Sequence, residues 1–144
     1  MQMINKVSSR FFSHPADVPL SATDAAGVLY FGRLFDLCHS AYEAALKAGA
    51  KPLRAYLTGD IILPIVRCEA QFKQPIYCSD SLRIDLGLGE IKDSGFQIHY
   101  HLYRVTEGDL LCATAMTHHV CIDRHSRQRV SLPPELVTML TPSP

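Results

Sequence analysis

The chain has 144 residues, and its 14 basic and 14 acidic side chains leave no formal net charge. Such a balance gives no general attraction to nucleic acid or anionic lipid, so neither partner is expected. No apolar run approaches the length of a membrane span, and the N-terminus lacks the apolar block of a secretory signal. With 47% hydrophobic residues, the sequence predicts one cytoplasmic globular domain over residues 1–144.

The cysteines and histidines indicate a reduced protein without a bound metal. The five cysteines are odd in number, form no C-x-x-C pair and lie mostly in apolar or alternating segments, so they are expected as small core residues. Histidines at positions 99, 101, 118 and 119 would allow a site shared by two strands, but no ligand spacing defines one. Satisfied histidines of a sheet or an interface are expected instead, and neither metal nor cofactor is predicted.

The first third of the chain predicts an interrupted strand and one long helix. Residues 10–20 have strand character but contain Pro15 and Pro19, which confine a strand to a sheet edge. Apolar residues then recur at helical spacing, at positions 31, 34/35, 38, 41/42 and 45. This pattern predicts a half-buried helix that ends near Gly49, followed by a connector with one helical turn at Leu53–Leu57.

After Asp60 the hydrophobic period changes from helical to two, which predicts strands. The predicted strands run over residues 62–72, 82–88, 96–103 and 110–122, with turns at 92–95 and 106–109 and a short helix after Pro133–Pro134. Consecutive strands after a helix favour an α+β domain with an antiparallel sheet. One helix covers only one face, so a second copy of the chain is expected over the other face or an edge.

The candidate site is the stretch from Ala22 to Leu46, where Asp24 lies in a small-residue turn ahead of the long helix. A helix N-terminus offers free N–H groups and a positive dipole end, so a carboxylate beside it can work together with an oxyanion site. The alternative is that Asp24 closes an Asx-turn or caps the helix, and this stretch by itself favours that alternative.

Three segments resemble a known family. They are T-D-A-A-G-V-L-Y-F-G-R-L-F-D before the helix, L-P-I-V-R-C-E-A-Q-F in the next strand and S-D-S-L-R-I after its turn. Over residues 10–123 the chain resembles the hot-dog-fold acyl-CoA thioesterases of the 4-hydroxybenzoyl-CoA type. That resemblance implies a five-stranded antiparallel sheet wrapped around one long central helix, in a homo-oligomer that is at least dimeric and, as a dimer of dimers, tetrameric.

A narrower resemblance rests on C-H-S-A-Y-E in the helix, L-P-I-V-R in the next strand and T-H-H-V-C-I in the last. These segments are similar to the cyanobacterial 1,4-dihydroxy-2-naphthoyl-CoA thioesterases of phylloquinone synthesis. The resemblance implies an acyl-CoA substrate, with 1,4-dihydroxy-2-naphthoyl-CoA favoured.

The family pattern also implies roles for single residues. Asp24 falls on the catalytic carboxylate, and Phe31 falls where the backbone N–H meets the thioester oxygen. Gly27 matches the glycine that lets the turn pass close to the substrate. His39 falls where the 4-hydroxybenzoyl relatives have an aspartate that reaches the aryl hydroxyl across the dimer, and a histidine leaves that contact possible. A face of the helix near Asp36 is the alternative place for His39.

Two weaker assignments keep their alternatives. Tyr30 either lines an aromatic pocket or packs against the protein. Arg124 and Arg127 either hold CoA phosphates, which suit bidentate contacts from arginine, or belong to a solvated basic loop.

The chemistry needs few groups. Thioester hydrolysis requires a nucleophile or an activated water and stabilisation of the carbonyl oxygen, and CoA thiolate leaves without a dedicated acid. One carboxylate at a helix N-terminus is therefore sufficient, acting as nucleophile or general base. The alternatives to an aromatic acyl-CoA thioesterase are a short-chain or general acyl-CoA thioesterase and a non-catalytic acyl-CoA-binding module.

Overall fold

The computed structural model describes residues 7–106 and 108–142. The strands are β1 (Arg10–Asp17), β2 (Ile61–Ile62), β3 (Ile65–Phe72), β4 (Ser81–Lys92), β5 (Gly95–Arg104), β6 (Leu110–Val120) and β7 (Ile122–Asp123). The helices are α1 (Leu34–Gly49), α2 (Leu53–Thr58) and α3 (Pro134–Leu140). The order confirms the predicted long helix, connector helix and terminal helix. The predicted turn at residues 106–109 includes position 107, which lies outside the described residues.

Five strands form one antiparallel sheet in the order β1-β4-β5-β6-β3. This arrangement confirms the predicted α+β class with a five-stranded antiparallel sheet and one long helix. The first strand is at an edge, as its prolines predicted, and Pro15 pairs in register with Arg83 of β4. An edge strand tolerates proline because one side of it needs no ladder donors.

The core lies between α1 and the inner face of the sheet. The buried face of α1 follows the helical period and consists of Leu34, Cys38, Ala41, Tyr42, Ala45 and Leu46. Alternate residues of β4 and β5 face it, among them Ile84, Leu86, Ile98, Tyr100 and Leu102. Burying each large apolar side chain stabilises the fold by about 1.5–3 kcal/mol, so this layer fixes the helix on the sheet.

The start of the helix differs from the prediction. Phe31 was expected on the buried face, but its side chain is 66% exposed. The reason is a 3-10 turn at Phe31–Arg33, after which α1 begins at Leu34. A 3-10 turn has three residues per turn, so it rotates Phe31 away from the stripe that α1 buries.

The strand predicted over residues 62–72, with Pro64 at its entrance, is interrupted at that proline. It is broken at Leu63–Pro64 into β2 and β3, because Pro64 has no N–H for a ladder. The last predicted strand is divided at Cys121 into β6 and β7, and β7 pairs with β2 in a small second sheet. The backbone oxygen of Pro64 nevertheless accepts a hydrogen bond from Val120 N–H at 3.1 Å. This bond holds the interruption before β3 against the end of β6.

All five cysteines are free thiols. The core prediction is confirmed for Cys38, Cys112 and Cys121, whereas Cys68 is exposed on the edge strand β3 and Cys78 is half-buried. Within the described ranges, no helix combines the length and apolar character needed to cross a bilayer.

Candidate active site

Asp24 lies at the tip of a tight loop. Its Oδ1 atom accepts hydrogen bonds from the N–H groups of Ala26 at 2.9 Å and Val28 at 3.3 Å. The Asx-turn considered as an alternative therefore forms. The side chain is exposed, and Oδ2 accepts no hydrogen bond from the described residues. The turn thus orients the carboxylate through Oδ1 and leaves Oδ2 exposed.

Gly27 completes this turn with a φ of +77°. Its N–H donates to the backbone oxygen of Asp24 at 3.0 Å. A side chain at this position would meet no atom within 4 Å. Glycine is therefore needed for its left-handed backbone rather than for space.

Backbone hydrogen bonds hold the loop against itself and against the sheet. Asp24 N–H donates to Val28 O at 2.9 Å, and Tyr30 N–H donates to Ala22 O at 2.9 Å. Leu29 N–H donates to Ile76 O at 2.7 Å, which ties the loop to the segment between β3 and β4. The loop is consequently a rigid unit, and it carries Asp24 at one end and the start of the 3-10 turn at the other.

The helix start offers two free donors. Within the described residues, the N–H groups of Phe31 and Gly32 have no acceptor, whereas Arg33 N–H donates to Tyr30 O at 2.8 Å. No side chain caps the 3-10 turn or α1. Free N–H groups at a helix N-terminus are suited to an oxyanion. The role in binding the thioester oxygen that the family pattern implied for Phe31 stays a prediction.

An open cleft of about 320 Å³ lies beside the loop. Val28 and Leu29 line it from the loop, and Phe72, Pro75 and Ile76 line it from the end of β3 onward. Phe72 is 51% exposed although it is a large apolar residue. Sequence analysis missed Val28 and Phe72 as site residues, because an apolar residue at a strand end is also expected in an ordinary core.

His39 is half-buried on α1, eight residues after Phe31 and so about 12 Å along the helix. Its ring meets the Tyr42 ring edge-on, with centroids 5.5 Å apart. The structure does not bring His39 into contact with the Asp24 loop of the same chain. A role at the thioester would therefore place it at the loop of another copy.

Behind Tyr42 lies a buried polar row. His119 is fully buried, and its ring stacks on Phe96 with centroids 4.7 Å apart. Its Nε2 is 2.8 Å from Thr117 Oγ1, which is 2.9 Å from the Tyr100 hydroxyl. Burial lowers the pKa of His119 to about 3, so the ring is neutral. Within the described residues, no group of three or more His, Cys, Asp or Glu side chains is arranged to hold a metal ion.

The two arginines of the basic loop differ. Arg124 donates from Nε to Gly59 O at 2.6 Å and from its NH2 group to Tyr56 O at 3.0 Å and Leu57 O at 2.7 Å. It therefore satisfies carbonyls at the end of α2. Arg127 is exposed with a φ of +64°. Their assignment to CoA stays a prediction.

The contacts of Arg124 give an expected result. Arg124→Ala should lower the free energy of unfolding by about 2–3 kcal/mol, because it removes charge-assisted hydrogen bonds to three carbonyls. Urea unfolding measures the loss. Arg127→Ala, at an exposed position, is the matched control and should change the free energy by less than about 0.5 kcal/mol. Equal stability of the two variants would contradict the capping role.

The class of the protein follows from this architecture. A five-stranded antiparallel sheet around one long helix, with a carboxylate loop ahead of that helix, defines a hot-dog-fold protein. The family model of the Thioesterase-like superfamily matches residues 18–140. The chain belongs to this superfamily.

Three similar proteins place the chain within it. A 1,4-dihydroxy-2-naphthoyl-CoA hydrolase from Synechococcus elongatus is 41% identical over 116 residues, covering 79% of this chain and 83% of that protein. One of the same name from Rippkaea orientalis is 40% identical over 124 residues, covering 85% and 90%. The crystal structure of a 1,4-dihydroxy-2-naphthoyl-CoA thioesterase from Synechocystis matches with a TM-score of 0.84 and 33% identity, covering 90% and 94%.

Proposed function

We propose that this protein hydrolyses an aromatic acyl-CoA thioester and that 1,4-dihydroxy-2-naphthoyl-CoA is its favoured substrate. The observation that carries the proposal is the rigid loop that holds the Asp24 carboxylate ahead of the free N–H groups of Phe31 and Gly32. Membership of the thioesterase superfamily supports the reaction, and the names of the relatives at about 40% identity support the acyl group.

The residues account for each step of hydrolysis. Asp24 Oδ2 either attacks the thioester carbonyl carbon or removes a proton from the water that attacks it. The Phe31 and Gly32 N–H groups donate to the carbonyl oxygen as it becomes negative, and one such donor contributes roughly 3 kcal/mol to the transition state. The C–S bond then breaks. CoA leaves as a thiolate, which is stable enough to do so because thiols have pKa values of about 8.5. Where Asp24 is the nucleophile, water next hydrolyses the aspartyl anhydride, which releases the acid and restores the carboxylate.

The acyl group is proposed to lie between the aromatic residues near the loop. Tyr30, at the start of the 3-10 turn, is 47% exposed and Phe72 is 51% exposed, and both are available to a planar ring. Gly27 is assigned to the tight turn, with its left-handed backbone, that brings the loop close to the substrate. His39 is assigned to a hydroxyl of the acyl ring held by the partner subunit's loop, which accords with its distance from its own loop.

We further propose a homo-oligomer, a dimer of dimers, whose dimer forms through β3. This strand is a sheet edge with exposed apolar side chains, including Ile65 and Val66, and an unpaired edge is a template for another strand. If two β3 strands paired antiparallel, the Phe72 end of one strand would lie beside the Ile65 end of the other. The loop with Arg127 follows β7, which pairs with β2 just before β3, so the partner subunit's Arg127 would approach the Asp24 loop from the Ile65 end and could bind CoA phosphates there.

A cytoplasmic location is part of the same proposal. It is supported by five free thiols, which are typical of a reducing compartment.

The test is the release of thiol from three thioesters by the wild-type protein. We expect faster turnover of 1,4-dihydroxy-2-naphthoyl-CoA than of benzoyl-CoA, and faster turnover of both than of butyryl-CoA. A preference for butyryl-CoA would identify a general acyl-CoA thioesterase instead. Binding of all three without release of thiol would identify an acyl-CoA-binding module.

A further inference from the structure

Gly32 lies under the ring of Tyr30. A Cβ atom on Gly32 would be 2.8 Å from Cε2 and 3.3 Å from Cδ2 of that ring. Real Cβ atoms do not approach so closely, so the Tyr30 ring occupies the space where every other residue type would place its side chain. Tyr30 can lie against the first turn only because residue 32 is a glycine.

The conformation of the backbone does not require this glycine. Positive φ values among the described glycines occur at Gly27 and Gly108, not at Gly32. Alanine would therefore fit the backbone, and the residue is exposed. What glycine provides at position 32 is room for an aromatic ring.

The ring lies beside the free donors of the helix start. Tyr30 precedes the N–H groups of Phe31 and Gly32, and its ring covers the second of these residues. The Phe31 ring is tilted by 46° to it, with centroids 4.7 Å apart. Two exposed aromatic rings thus form a corner next to the place where a thioester oxygen would be bound.

We propose that Gly32 is a specificity-determining residue, which selects planar aromatic acyl groups by allowing the Tyr30 ring to form a flat wall beside the thioester. The inference rests on the proposed function. An aromatic acyl ring gains from stacking or edge-to-face contact with this wall, and a flexible aliphatic chain gains less. With a side chain at position 32, the Tyr30 ring must swing outward and the wall is lost.

The variant Gly32→Ala tests the proposal without disturbing the fold. We expect kcat/KM for benzoyl-CoA to fall roughly three- to tenfold more than that for butyryl-CoA, mainly through KM, because alanine keeps the N–H group of position 32. Tyr30→Ala should give the same selective loss. Because Gly32→Ala acts through the Tyr30 ring, the double variant should lose no more than Tyr30→Ala alone.

Gly49→Ala is the matched control. A Cβ atom on Gly49 would lie 2.8 Å from Cγ of Met139, an equally close approach to a side chain, at the far end of α1. In this variant, kcat/KM should stay at the wild-type value for both benzoyl-CoA and butyryl-CoA. Additive losses in the double variant, or equal losses for both thioesters in Gly32→Ala, would overturn the proposal.

A binding measurement separates this inference from the proposed function. The dissociation constants of the non-hydrolysable thioethers S-benzyl-CoA and S-butyl-CoA are measured by calorimetry for the same variants. A selective loss of S-benzyl-CoA binding in Gly32→Ala supports the inference even if the wild-type protein releases no thiol from any ester. Unchanged selectivity in binding overturns it even if hydrolysis is fast.

Discussion

Asp24→Asn is expected to lower kcat for thiol release by roughly a hundred- to ten-thousandfold. An amide can neither attack the carbonyl carbon nor accept a proton from water at neutral pH. The asparagine oxygen can still accept the hydrogen bonds from the Ala26 and Val28 N–H groups, so the turn and the fold should persist. The measurement is thiol release at saturating substrate, together with the dissociation constant of a thioether analogue.

Asp123→Asn is the control for this substitution. Asp123 also accepts backbone hydrogen bonds within a turn, from His125 N–H at 3.0 Å and Ser126 N–H at 2.7 Å, but it is the last residue of β7, in the small second sheet. Its kcat should stay within about twofold of the wild-type value. A kcat for Asp24→Asn close to wild type would show that the carboxylate at position 24 is not catalytic, whatever the substrate.

Acidification is expected to destabilise the protein through His119. Burial lowers the pKa of His119 in the folded state to about 3, with His39 acting in the same direction and the Leu63 backbone opposing it, whereas the unfolded value is about 6.5. Between those values the unfolded chain binds a proton that the folded chain excludes, so stability falls as the pH falls. The contribution is up to about 1.4 kcal/mol per pH unit below pH 6 and is absent above pH 7.

His119→Gln isolates this contribution. Glutamine does not titrate and retains a polar group for Thr117, so the variant should be less stable at pH 7 but lose stability more gradually on acidification. The free energy of unfolding in urea is measured from pH 7.5 to pH 4.5. His125→Gln, which removes an exposed histidine, should retain the wild-type slope. Identical slopes for His119→Gln and wild type would refute the assignment to His119.

Periodicity predicted the fold well because burial on one face leaves a regular trace in the sequence. The alternation at Phe96, Ile98, Tyr100 and Leu102 appears as four buried side chains that face α1. The predictions failed where the backbone departs from a regular element. The 3-10 turn exposes Phe31, a change that hydrophobic spacing does not record.

The candidate site was predictable in part. The small-residue turn around Asp24 and its position ahead of the helix were evident, because the chemistry depends on neighbours in the chain. Gly32 and Phe72 were not, because their significance depends on which side chain lies above a glycine and which strand forms an edge. Arg124 was a candidate, but its contacts were not predictable, because its partners lie 65 to 68 residues away at the end of α2.

The donors and acceptors in the hydrogen-bonded row of Tyr100, Thr117 and His119 can be assigned. If Thr117 donated its hydrogen to Tyr100, the buried Tyr100 hydroxyl would have no acceptor for its own hydrogen among the described residues. Tyr100 therefore donates to Thr117, and Thr117 donates to Nε2 of His119. With Thr117 as the donor to Nε2, the neutral imidazole carries its proton on Nδ1, which is buried and has no hydrogen-bond partner among the described residues. The tautomer of His119 thus follows from the Tyr100 hydroxyl through two hydrogen bonds. A 180° flip of the ring would place Cε1 where Nε2 lies and would remove the hydrogen bond to Thr117, so the interior holds this imidazole in a single orientation.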